Sequence, residues 1–295
     1  FFNDTATTEI YTGEDTLSLH DALPIFSELM VKNGLSGGHY LEPYAGGAGV
    51  ALDLLFSGKA SHIHINDVDP AVHAFWTSVV KHTDELLELL ECTPITLDEW
   101  FKWRSILREE TTCADVVKKG FATLFMNRTN RSGILKAGVI GGKKQDGAYK
   151  LDARFKKDVI SSRIQDIAKR AENISIYCED SLSLLQRCHE FLPAEALIYL
   201  DPPYYVKGRG LYRNYYQHQD HMNISNLIQS GKFHWPWVVS YDNAEQIRGM
   251  YSASRSIDYS LHYTAQRKYM GSEVMFFSDG LIIPSALMPK PLLAA

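Results

Sequence analysis

The sequence predicts an α/β fold, a doubly wound sheet interrupted by a mainly helical insert. Three observations predict it. Short apolar runs ending in acids, at 39–42, 62–67, 173–180 and 196–201, alternate with segments of helical period. A glycine-rich turn, Tyr44-Ala45-Gly46-Gly47-Ala48-Gly49, follows the first of these runs. Between the second and third runs, residues 81–170 change character, first to helical and then to glycine-rich and basic.

Taken in order, the opening residues 1–25 show no helical or alternating period. They resemble, nearly word for word, the peptide read from translated sequencing-adapter DNA. The expectation is therefore that 1–25 is non-native or disordered and that the authentic chain begins near Phe26. FSELMVKNGL (26–35) reads as a short amphipathic helix, and His39–Glu42 as a strand. VALDLLFSGKA carries apolar residues at helical spacing, with Gly58 as its stop. HIHIND (62–67) is a second strand. Asp69 and Pro70 then open a helix as N-cap and first residue. DELLELLE, LDEWFKWRSILREE and ADVVKKGFATLFMNR supply the helices of the insert. NISIYCED, ALIYLDPPYY and WPWVVSYDN are further strands, and SIDYSLHYTA with EVMFFSD reads as a closing hairpin. The expected organisation is a catalytic domain over 26–80 and 171–295, with an insert over 81–170.

Composition excludes several classes. A net charge of −5 over 295 residues argues against coating nucleic acid by bulk charge. A local basic surface is still available, because 128–157 holds Arg128, Arg131, Lys136, Lys143, Lys144, Lys150, Arg154, Lys156 and Lys157 against only Asp146 and Asp152, a solvated loop being the alternative. No apolar run approaches the ~20 residues of a membrane helix, so a cytoplasmic protein without membrane contact is expected. None of the four cysteines forms a C-x-x-C pair. His62 and His64 share one strand face, but the sequence shows no third ligand, so no metal is expected. The tryptophans read as core or insert packing.

Two motifs carry chemistry. In LEPYAGGAG (41–49), glycines after a strand let the backbone approach a ligand at the carboxyl end of the sheet. Asp67, ending the next strand, could accept from both hydroxyls of a ribose, and a turn or cap role is the alternative. Asp69, placed before Pro70, reads as the cap. In DPPYY (201–205), Asp201 offers a carboxylate and Pro202 a carbonyl. Two such acceptors suit an aromatic exocyclic amine, whose nitrogen must become more tetrahedral before it attacks a methyl group. The Pro202-Pro203 step stiffens the turn, and Tyr204 supplies a flat face for a base; a strand-ending Asp-Pro turn beside a core tyrosine is the alternative.

LEPYAGGAG, IND, YCED and LDPPYY, in this order, resemble the motifs of the Dam-like DNA adenine methyltransferases over roughly Phe26 to the C-terminus. The resemblance implies a Rossmann-like methyltransferase sheet with a DNA-recognition insert, S-adenosylmethionine as cofactor, and double-stranded DNA as partner of a monomer. It implies that Glu42, Pro43, Tyr44, Ala45 and Gly46 line the methionine end of the cofactor. Asp67 would hold the ribose and Asp180 the cofactor adenine. Asp201, Pro202, Pro203 and Tyr204 would bind a flipped adenine and present its N6 amine. NRTNRSGILKAG (127–138) resembles the segment with which the family reads DNA. Arg128, Ser132 and Lys136 are then the expected DNA contacts, with Lys143 and Lys144 beside them. YYVKGRGLYRNYYQHQDH (204–221) reads as a loop that closes over base or backbone, a surface loop being the alternative. The family's usual Gly-Gly-Lys-like opening is replaced here by adapter-like sequence, so weakened cofactor binding is expected. The alternatives are an RNA adenine methyltransferase with the same motif and an inactive nucleic-acid-binding remnant. A nicotinamide oxidoreductase is disfavoured, because Asp-Pro-Pro-Tyr has no part in hydride transfer.

Overall fold

The structure is a computed structural model that describes residues 19–108, 115–206, 216–260, 272–284 and 287. In chain order the elements are α1 (Leu19–Lys32), β1 (Gly38–Glu42), α2 (Gly49–Phe56), β2 (Ala60–Asn66), α3 (Pro70–Lys81), α4 (Thr83–Cys92), α5 (Leu97–Arg108), α6 (Val116–Thr129), α7 (Lys157–Ala168), β3 (Ile174–Tyr177), α8 (Ser181–Gln186), β4 (Ala196–Leu200), α9 (His218–Ile228), β5 (Trp237–Asp242), α10 (Glu245–Met250), β6 (Arg255–Ser260) and β7 (Ser272–Phe277). Among the described residues they fall into two compact units. One is 67–178; the other joins 19–66 to 179–287.

The second unit carries six strands in the order β2-β1-β4-β5-β7-β6. β1 pairs parallel with β2 and with β4, and β4 pairs parallel with β5. β7 runs antiparallel to both β5 and β6, as the expected hairpin requires. The chain leaves β1 for β2 on one side and returns to β4 on the other. The crevice at the carboxyl ends of β1 and β4 is thus a topological switch point, where ligands of doubly wound sheets bind. The central strands are apolar runs because both of their faces are covered. Tyr40, Leu41, Leu197, Ile198, Leu200, Val238, Val239 and Tyr241 are all fully buried. Gly38 opens β1 because a Cβ there would lie 2.1 Å from the carbonyl oxygen of Glu195.

The first helix differs from expectation. It begins at Leu19 rather than Phe26 and contains Pro24. Ile25, Phe26, Leu29 and Met30 are buried, so the apolar stripe that defines the helix reaches into the adapter-like stretch. Residues 1–18 of that stretch lie outside the described residues.

The unit of residues 67–178 is helical apart from β3 and is built around α6, which is buried on every side from Gly120 to Thr129. Gly120 lets α6 lie against α3, since a Cβ would meet Ser78 Oγ at 2.3 Å and the Ala74 carbonyl at 2.6 Å. Thr123 Oγ1 donates to the Ala71 carbonyl at 3.0 Å. α3 therefore packs with the insert helices, and the units divide at 66/67 and 178/179, whereas the sequence pattern suggested 80/81 and 170/171. Among the described residues no helix is long and apolar enough to cross a membrane.

Candidate active site

The glycine turn is set by residues beneath it. Glu42 is buried at the end of β1; its Oε1 accepts from Tyr40 Oη and from the amide of Ala51 in the first turn of α2, both at 3.0 Å. Burial pushes the Glu42 carboxyl up to about 8, although these two donors pull it down. Asn66 fixes the other flank. Its Nδ2 donates to the carbonyls of Pro43 (2.9 Å) and Glu179 (3.0 Å), while Oδ1 accepts from the Glu179 amide at 2.9 Å. Ser181 Oγ also donates to the Pro43 carbonyl, at 3.0 Å. Pro43, Tyr44 and Ala45 are thereby held in one conformation. Gly46 turns the chain with φ 45°, and no atom lies within 4 Å of the place its Cβ would take. That open left-handed turn at the switch point is a cradle a side chain would fill, and it suits S-adenosylmethionine. Of the later positions in the turn, Ala48 also adopts positive φ, at 48°.

Asp201 follows β4 in the same unit. Its Oδ1 accepts from Ser240 Oγ of β5 at 2.7 Å, and Ser240 is joined to Tyr199 Oη at 2.9 Å. Burial raises the Asp201 carboxyl to about 6 against the lowering effect of Ser240, so it is mainly ionised at neutral pH. Pro202 is buried. Tyr204 is 5% exposed, and its hydroxyl donates to Glu273 Oε1 at 3.0 Å. The chain then turns away through Tyr205 and Val206, whose amides donate to the two carboxylate oxygens of Asp242 at 2.8 and 2.9 Å. Tyr44 reaches Tyr216, hydroxyl to hydroxyl, at 3.0 Å. His221, fully buried in α9, binds Tyr241 Oη through Nδ1 at 2.9 Å. Of the expected closing loop, residues 207–215 lie outside the described residues, and His218 onward is α9.

Glu42 to Gly46 and Asp201 to Tyr204 thus stand at the carboxyl ends of adjacent strands. Asp180 is exposed, and its Oδ1 caps α8 by accepting from the amides of Leu182 and Ser183. Asp67 begins the other unit, and its Oδ1 accepts from the Asp69 amide at 2.8 Å. Asp69 is the N-cap of α3, accepting from Ala71 at 2.9 Å. Sequence reasoning missed Ser240, Asp242 and Glu273. The first two sit in a run already read as a strand, and only its pairing beside β4 gives them a role.

The expected DNA segment is a pinned loop in the unit of 67–178. The Arg131 amide donates to the Gly138 carbonyl and the Ile140 amide to the Thr129 carbonyl, both at 2.9 Å. Asn130 Oδ1 accepts from the indole of Trp100 at 2.8 Å, and its Nδ2 donates to the carbonyls of Ile134 and Leu135. Ser132 adopts φ 53° and is exposed, as are Lys136, Lys143 and Lys144. Arg128 corrects the expectation. It is 1% exposed on the all-buried helix α6, and its Nε donates to the Arg154 carbonyl at 2.8 Å. A guanidinium placed there supports the loop and does not face solvent. Arg154 is buried as well, donating to the carbonyls of Asn127 and Asn130. Arg131 is the exposed arginine of the segment.

His39 of β1 joins His62 and His64 of β2, with ring centroids 4.7–5.1 Å apart. His39 Nδ1 lies 3.0 Å from His64 Nε2, and the His64 ring packs on Phe191. Among the described residues no group of His, Cys, Asp or Glu is arranged to hold a metal ion. Cys92, Cys178 and Cys188 are free thiols; Cys113 lies outside the described residues.

Residues 20–270 match the family model of the D12 class N6 adenine-specific DNA methyltransferases. The chain belongs to that family. A curated relative, the Type II methyltransferase M.MjaIII of Methanocaldococcus jannaschii, is 25% identical over 177 residues, covering 56% of this chain and 58% of the relative. The chain therefore spans less than two thirds of that relative's length. Among solved structures, the rRNA methyltransferase aviRa of Streptomyces viridochromogenes superposes with TM-score 0.40 at 11% identity, over 94% of this chain and 93% of its own. A Thermoplasma acidophilum protein gives TM-score 0.37, also at 11% identity, over 94% of this chain and 97% of its own. Scores this low bear on neither activity nor substrate.

Proposed function

We propose that this D12-family chain transfers a methyl group from S-adenosylmethionine to the N6 amine of adenine at a specific site in double-stranded DNA, with the target base turned out of the helix. One observation carries the reading: a half-buried Asp201 carboxylate, held by Ser240 at the end of β4, beside an open glycine turn at the end of β1. When bound, S-adenosylmethionine supplies an electrophilic methyl group on a sulfonium. Everything else falls to the chain. Gly46 admits the ligand close to the backbone. The ionised Asp201 accepts from the amine, and the Pro202 carbonyl offers a second acceptor, which favours a tetrahedral nitrogen over a conjugated one. No strong base is needed, because the surplus proton leaves after transfer. Tyr204 is covered in this structure; once uncovered, its ring would give an extruded base a stacking face worth about 1–3 kcal/mol, which offsets much of the cost of unpairing it.

The loop of 127–138, with exposed Ser132 and Lys136, is assigned to reading the duplex, and Lys143 and Lys144 to its phosphates. The Methanocaldococcus relative is named a Type II methyltransferase, in keeping with methyl transfer by this chain. The test is direct. The chain and Asp201→Ala are incubated with labelled S-adenosylmethionine and either plasmid DNA or structured RNA, and N6-methyladenine is measured after digestion. Methylated DNA from the parent chain, none from the variant, and equal cofactor affinity for both are expected. Labelled RNA with unlabelled DNA would reassign the substrate, and full turnover by Asp201→Ala would remove the assignment.

A further inference from the structure

Two acidic side chains that the motif pattern does not include meet the turn that carries Tyr204, Glu273 at its hydroxyl and Asp242 at the two amides that follow. Asp242 ends β5, Glu273 lies on β7, and the two are directly opposed in the antiparallel pairing of these strands. Glu273 is 4% exposed and Tyr204 5%, and the bond between hydroxyl and carboxylate, 3.0 Å long, is buried. A buried tyrosine hydroxyl without a partner would be costly, and Glu273 supplies one. On the chain side, Asp242 takes the next two amides, those of Tyr205 and Val206, one on each oxygen. Before Tyr204 stand two prolines whose φ angles are fixed by their rings. The ring of Tyr204 is therefore held at three points: the rigid backbone before it, the clamped backbone after it, and its own hydroxyl.

Fixing a ring this firmly has a use when the ring is a stacking surface. A base entering from DNA loses orientational freedom on binding, and a platform that is already ordered adds no further loss.

We propose that Glu273 and Asp242 are positioning residues for base stacking: Glu273 sets the plane of the Tyr204 ring through its hydroxyl, and Asp242 sets the depth of the turn that carries it. This rests on the reading of Tyr204 as the face that receives the adenine.

The test compares Tyr204→Phe, Glu273→Leu, Glu273→Gln, Asp242→Ala and the double variant Tyr204→Phe/Glu273→Leu, on plasmid DNA with labelled S-adenosylmethionine. Tyr204→Phe and Glu273→Leu should each lower kcat about tenfold, the order expected of one orienting hydrogen bond, with KM for S-adenosylmethionine unchanged. Glu273→Gln keeps an acceptor and should stay within about threefold of the parent. The double variant should be no slower than either single one, because both remove the same bond. Asp242→Ala should lower kcat in the same way. Should Glu273→Leu fail to fold, Tyr204→Phe against Glu273→Gln carries the comparison. Turnover within twofold of the parent for Tyr204→Phe and Asp242→Ala would overturn the inference while leaving the functional reading intact. So would multiplied losses in the double variant. A parent chain that methylates neither DNA nor RNA would overturn the functional reading and this inference together.

Discussion

The hydroxyl of Ser240 donates to Oδ1 of Asp201 at 2.7 Å, across the boundary between β5 and β4. This bond favours the ionised carboxylate and opposes the upward push of burial, leaving Asp201 at about 6.

Protonation would remove the charge of Asp201 and turn one of its acceptor oxygens into a donor, so turnover should fall as pH drops through about 6. Ser240→Ala removes the contribution that holds the value down, so the acid limb of its kcat profile should move to higher pH. At neutral pH the variant should lose about tenfold in kcat, in keeping with the loss of one charged hydrogen bond. An unmoved acid limb in the variant would mean that Ser240 does not act on Asp201.

Glu42 has its carboxyl raised to about 8 in the folded protein, from an ordinary value of 4.5. The folded state then holds a proton that the unfolded chain has released between those values. Stability attributable to Glu42 falls as pH rises from 4.5 to about 8 and is constant above. Glu42→Gln keeps an oxygen for Tyr40 and Ala51 without the charge. It should melt at nearly the parent's temperature at pH 5 and above it at pH 9, as thermal scans across pH would reveal.

His64 behaves with the opposite sign. Burial, then the neighbouring His62 and His39, lower it from 6.5 to about 3. The unfolded chain takes up a proton below 6.5 that the folded state refuses, so stability is lost as pH falls. At pH 5 the linkage amounts to about 2 kcal/mol for this one ring. His64→Phe, which can stack on Phe191, should flatten the acid side of the melting profile between pH 6.5 and 5. An unchanged slope would place the acid sensitivity elsewhere.

Lys143 and Lys144 are exposed and lie beyond the pinned loop. Changing both to Gln should weaken DNA binding evenly across sequences. It should reduce the slope of log affinity against log salt by about two if each meets a phosphate. Arg128→Met should act differently. It empties a buried site beside the Arg154 carbonyl and should lower the melting temperature, because a buried acceptor loses its donor. Equal salt slopes for the parent and the double lysine variant would remove the two lysines from the interface.

The sequence by itself determined the alternation of strands and helices, the glycine turn after β1 and the Asp-Pro-Pro-Tyr turn after β4. These depend on local periodicity and on residues whose backbone freedom is unusual, and both are written in neighbouring positions. It also placed Asp69 as the cap of α3, since Asp-Pro at a helix start is a local signal. The tertiary structure decided which charged side chains face solvent. Arg128 and Lys136 look alike in the sequence, but α6 is covered on every side, so one is buried and the other exposed. It also decided who supports Asp201 and Tyr204. Ser240, Asp242 and Glu273 lie 36 to 72 residues away along the chain, and only the pairing of β4 with β5 and of β5 with β7 brings them to the site. Strand pairing over such separations leaves no periodic trace in either partner, and for that reason the residues that bond Asp201 and the Tyr204 turn became visible only in the fold.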